Sequence, residues 1–159
     1  GTRNRQTIRV KTMMLSDHFS LAEFTKSQTA IRKGIKNDPN DAAIENMRLL
    51  CENILEPVRQ NYDIPFTLNS GFRCLALNEA VGSSSRSQHV TGQAADFEIP
   101  TIANKDLAHW IMDNLDYDQV LLEFYKEGDP SSGWVHCSYD NGNNRKQAKK
   151  FDGRTWETL

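Results

Sequence analysis

The stretch from Asp41 to Tyr62 constrains the fold most. Ile44, Met47, Cys51, Ile54, Leu55 and Val58 recur there at helical spacing. One long apolar stripe must therefore be covered by the rest of the chain. Asp41 stands near the helix start, and Pro57 is expected to kink or end its last turns. Downstream the pattern changes. Ile64–Asn69, Ala94–Ile99, Gln119–Tyr125 and Trp134–Tyr139 read as strands, with short helices at Leu75–Val81 and Asn104–Leu115. The last two strands are joined by a turn-rich loop and form a hairpin. A further strand is expected at Lys149–Phe151. Helices come first and strands are then interleaved with helix, which gives an α+β fold: a small antiparallel sheet with helices packed against it.

At the amino end, Ser20 and Glu23 have the spacing of a capping box. They start a helix at Leu21–Lys26, with Phe19 and Phe24 as its apolar anchors. Residues 34–40 read as a turn. The chain has 159 residues, the size of one domain, and 38% of them are hydrophobic, enough for one core. Residues 1–12 carry Arg3, Arg5, Arg9 and Lys11 and no acid. They read as a basic tail, native or tag-derived, ahead of a single domain at 13–159. They carry no apolar stretch of the secretory kind.

The net charge of −2 excludes sequence-blind attraction to nucleic acid. No apolar run approaches the ~20 residues that span a membrane. The oligomeric state is not legible. Cys51, Cys74 and Cys137 are odd in number and lack C-x-x-C spacing, so they read as reduced thiols and not as a disulfide framework.

The chemistry concentrates in residues 87–96, which spell S-x-H-x-x-G-x-A-x-D. The His89 imidazole and the Asp96 carboxylate are both zinc ligands by type. Gly92 lets the backbone turn between them, and Ala94 and Ala95 let the strand approach its neighbours. In the strand Trp134–Tyr139, side chains alternate, so Trp134, His136 and Ser138 share a face. His136 on the face of Asp96 completes a His-Asp-His set. Three protein ligands leave a fourth zinc position open, which is the catalytic pattern.

Three motifs in order make the chain resemble the zinc D-alanyl-D-alanine carboxypeptidase family. That family includes VanY- and VanX-type enzymes and phage L-alanyl-D-glutamate endopeptidases, and it shares its fold and zinc site with the hedgehog signalling domain. The motifs are Ser70-Gly71-Phe72-Arg73, Ser87 to Asp96, and Gly133-Trp134-Val135-His136. The opening Asp17 to Phe24 resembles phage and prophage members. The resemblance implies zinc as cofactor, held by His89, Asp96 and His136, with Arg73 binding substrate. It also implies hydrolysis of peptidoglycan stem peptides, by a carboxypeptidase or an endopeptidase. A phage-type role in cell-wall lysis is the expected setting, with the protein in the host cytoplasm or on the virion before it acts at the wall.

One position departs from the family. Many members carry an acid three residues before the last histidine, and here that residue is Gly133. Glu123, in the apolar run VLLEFY on the neighbouring strand, is the candidate general base, with Asp129 and Glu127 as alternatives. Arg73 can hold a carboxylate bidentately or stabilise an oxyanion. Ser87 either hydrogen-bonds near His89 or touches substrate. Without a base, the domain would be a zinc-bearing binding or virion structural module of the same fold.

Overall fold

A computed structural model describes residues 13–159. The basic tail at 1–12 lies outside the described residues. The amino-terminal helices are short. α1 (Leu21–Thr25) opens with the expected box: Ser20 Oγ accepts from the Glu23 N–H while the Glu23 carboxylate accepts from the Ser20 N–H. Phe19 just ahead of it and Phe24 within it are fully buried. α2 (Gln28–Lys33) has no counterpart in the sequence reading. Only Ala30 of its six residues is buried, so it has no apolar period to detect; the Ser27 cap and left-handed Gly34 define it instead.

The long helix runs as α3 (Asp41–Leu50), a π segment (Cys51–Leu55) and α4 (Glu56–Tyr62). Pro57 does not end it. Proline offers no N–H, and the hydrogen-bond ladder widens just ahead of it, where the Glu56 N–H donates to the Cys51 carbonyl. Left-handed Asp63 then caps the helix.

β1 (Leu68–Ser70) is shorter than expected. Pro65 has no N–H to give a ladder, and Phe66 is packed into the core. α5 (Leu75–Ala80), β2 (Ala94–Phe97), α6 (Asn104–Asn114), β3 (Gln119–Glu123) and β4 (Trp134–Ser138) follow the sequence pattern closely. β5 (Gln147–Phe151) starts earlier than read, and β6 (Trp156–Thr158) completes a six-stranded sheet in the order β1-β2-β4-β3-β5-β6.

The α+β class holds, and the sheet is antiparallel except for one parallel pair, β3 with β5. Topology explains this pair. β4 already has β2 on its other side, so the chain leaving β4 must pass to the free edge of β3. After two reversals it runs in the direction of β3.

The strands divide residues between two faces. Ala95, Phe97, Val120, Leu122, Val135 and Cys137 point into the main core with Met47, Ile54, Leu107 and Ile111 from the helices. The opposite face carries Asp96, His136, Leu121 and Glu123. Among the described residues no helix is long and apolar enough to cross a membrane.

Candidate metal centre

The β2–β4 ladder sets Asp96 directly opposite His136. Paired residues project to the same side, so the carboxylate Oδ1 lies 2.9 Å from His136 Nδ1. His89 arrives from the turn before β2. Its turn depends on Gly92 at φ +76°, where an added Cβ would run into the Ala43 carbonyl of α3. His89 Nε2 then lies 3.4 Å from Asp96 Oδ2, and the two imidazole rings meet edge to face at 5.1 Å.

The second nitrogen of His89 is held from behind. Nδ1 lies 2.6 Å from the Gly71 carbonyl, an acceptor, so it carries the proton and leaves Nε2 bare for a metal. In return the Arg73 N–H donates to the His89 carbonyl at 3.1 Å. These two bonds stitch the S-G-F-R segment to the metal-ligand turn.

One ligand atom from each of His89, Asp96 and His136 lies within 4.8 Å of the others. Tetrahedral zinc with bonds of about 2.0–2.2 Å places its ligands about 3.3–3.5 Å apart, so small adjustments bring this donor set onto one ion. Both histidines are nearly buried, at 2% and 8% exposure. Burial works against the charged form of Asp96. The closeness of His89 and the hydrogen bond from His136 outweigh it and hold the carboxyl well below the usual carboxylate range.

Glu123 faces the same side as His136. It pairs with Trp134 across the β3–β4 ladder, two residues before the histidine. Burial, and then the Asp96 charge, raise its pKa above the ordinary value against the pull of His136, Trp134 and Arg73. The Trp134 indole nitrogen is buried, has no hydrogen-bond partner within bonding geometry among the described residues, and lies near enough to Glu123 to favour its charged form.

Arg73 is half-buried beside Asp96 and Glu123. Burial lowers its pKa and the two carboxylates oppose that shift. Its buried Nε has no partner among the described residues. Ser87 Oγ accepts from the His89 N–H at 3.3 Å, which is the first of the two roles expected for it.

Gly133, where many family members have an acid, sits at φ +66°, and a Cβ there would collide with the Glu123 carbonyl. The backbone of the Glu123 strand fills the room a side chain would need. Of the alternative bases, Glu127 pairs with Lys105 at 2.8 Å and Asp129 lies in the hairpin turn, both exposed. His18 is also away from the centre, paired with Glu56.

Two supporting residues escaped the sequence reading. Asn37 donates to the carbonyls of Thr25 and Phe72 and accepts from the Cys74 N–H, clasping both neighbours of Arg73. Asp118 is fully buried and accepts from Gln88, the residue before His89, and from Arg145 through three N–H groups. The only available signal was an Asn or Asp within a predicted turn or at a strand start.

A cavity of about 820 Å³ opens elsewhere, between Pro65–Asn69 and Pro100–Ala103, and no metal-site residue lines it. The chemistry lies on the open sheet face. A family model described as Peptidase M15 matches residues 17–138, a span that contains all three ligand candidates, Arg73, Ser87 and Glu123. No curated protein matches the chain.

Proposed function

Because the chain belongs to the peptidase M15 family, a family of metallopeptidases, we propose that it is a zinc peptidase that hydrolyses peptidoglycan stem peptides. The observation that carries this reading is the convergence of His89, Asp96 and His136 beneath a carboxylate, Glu123, whose surroundings favour its holding a proton. Zinc, when bound by these three residues, supplies a Lewis acid that polarises a carbonyl and acidifies water.

The chain's own residues do the rest. Glu123 takes a proton from the attacking water on its carboxylate and passes it to the leaving nitrogen. Its raised pKa suits a group that must both accept and release a proton. The Arg73 guanidinium, whose buried Nε has no partner among the described residues, orients a substrate carboxylate or stabilises the developing oxyanion. Ser87 fixes the His89 backbone. The opening Asp17–Phe24, which resembles phage members, supports a setting in phage-type wall lysis, with action at the cell wall.

The test is mass spectrometry of purified peptidoglycan incubated with the protein, with added zinc or with chelator. Chelator-sensitive release of D-alanine identifies a carboxypeptidase, and new internal amino termini identify an endopeptidase. Intact wall across several chemotypes, with zinc bound, would overturn hydrolysis and leave a zinc-bearing binding module.

A further inference from the structure

The metal centre does not end at Glu123. Trp134, Phe124, Phe151 and Trp156 form a continuous aromatic row. Ring centroids are 5.2 Å apart for Phe124–Trp134, 5.7 Å for Phe124–Phe151 and 4.4 Å for Phe151–Trp156. The register puts this row on the metal-site face. Glu123 is opposite Trp134 on one side and Phe151 on the other, and Phe151 is opposite Trp156.

Phe124 belongs there only through a distorted backbone. Continued alternation after Glu123 would send it to the core face. At φ +57° it turns back, and its ring lies against Trp134 and Phe151. A left-handed backbone is strained for a non-glycine residue, and such strain gathers at functional sites. The outcome is an aromatic ring left 45% exposed beside Trp156 at 48%. Lys149 stands next to the row on the same face, opposite Leu121 and Thr158, and makes no ion pair among the described residues.

Resting on the peptidase reading, we propose that this row and Lys149 are an extended substrate subsite. Its occupant is the anionic stem peptide on the amino side of the scissile bond. Three features support that occupant. The row is continuous with the metal centre. From β4 to β6 it crosses three strand spacings, about 14 Å, the length of about four extended residues. Lys149 adds a positive charge that is unpaired among the described residues, whereas stem peptides carry free carboxylates. Arg73 enters from the β1 side of the sheet, so a carboxylate it holds lies opposite the row. The amino side of the substrate is then the part that lies along the aromatic rings.

The experiment uses the full zinc-loaded chain and synthetic stem peptides sharing whichever bond it cuts, lengthened one residue at a time on the amino side. The expected result is that kcat/KM rises by about tenfold or more from shortest to longest, and that this ratio falls towards one in Trp156→Ala and Lys149→Gln. Trp156→Phe, which keeps an aromatic face, should retain most of the gain. A flat length profile in the unmodified protein, or a ratio untouched by both Ala and Gln variants, overturns the subsite. If no peptide is cut, the peptidase reading fails. The subsite then stands or falls on whether the longest peptide shifts the Trp156 indole N–H resonance of the zinc-loaded protein.

Discussion

Glu123 is held among apolar neighbours and a second carboxylate, and that placement has a readable cost. Its pKa is raised, so Glu123 loses its proton only at a higher pH than a free glutamate. The acidic limb of kcat/KM should therefore lie above the ordinary 4.5 and vanish in Glu123→Gln. That substitution should lower kcat by about 10²–10⁴ while zinc stoichiometry by elemental analysis stays the same; full activity would remove Glu123 from the mechanism.

Asp118 has the opposite shift. Hydrogen bonds from Arg145 and Gln88 outweigh burial and lower its pKa. Its contribution to stability is present above the unfolded carboxyl value and is lost as pH falls through the lowered one. Asp118→Asn should cost about 1–3 kcal/mol, because Gln88 and Arg145 lose a charged acceptor. A thermal melt at neutral pH checks this, and the gap to the unmodified protein should narrow in acid.

His89, Asp96 and His136 were legible because metal-ligand chemistry limits the residue types and strand alternation limits their faces. Asn37 and Asp118 were not. Each gains its role from contacts 12 to 37 residues away, and an isolated Asn or Asp looks the same in any turn.

At the level of elements, the strongly patterned segments were legible and the weakly patterned ones were not. α6 and the β3–β4 hairpin carry clear apolar periods. α2 is a capped surface turn without one, and β6 is exposed at all three positions, so neither writes a hydrophobic signal. β5 alternates weakly because lysines on both its faces remain partly solvated. The parallel pairing of β3 and β5 is decided by which sheet edge is free, which no local pattern encodes.

The junction before β4 is the most demanding turn. Gly133→Ala combines a left-handed backbone with a collision against the Glu123 strand. It should destabilise by about 2–4 kcal/mol and loosen the β3–β4 ladder that aligns Glu123 with His136. A melting temperature within a degree of the unmodified protein would show that the turn can relax.

For the whole molecule, the sheet separates stability from chemistry. One face is packed against helices and the other holds the candidate ligands, so if zinc binds there as proposed, removing it should leave the fold assembled but weaker. With free zinc at about 100 times its Kd, binding adds about 2.7 kcal/mol. For a chain of this size that is a rise in Tm of about 5–10 °C. Calorimetry with and without chelator measures it, and an identical Tm would mean that the three ligands do not hold zinc in the native state.

The three free thiols occupy different depths. Cys51 and Cys137 are fully buried, on the helical and sheet sides of the same core, whereas Cys74 next to Arg73 is partly exposed. Burial pushes the Cys51 thiol up to about 12 and raises that of Cys137 as well, so neither offers a thiolate to an alkylating reagent while the core is closed. The native chain thus carries its own unfolding clock. Cys74 reacts from the folded state, and the other two are modified only as fast as the core opens, one reporting on the helical layer and the other on the sheet.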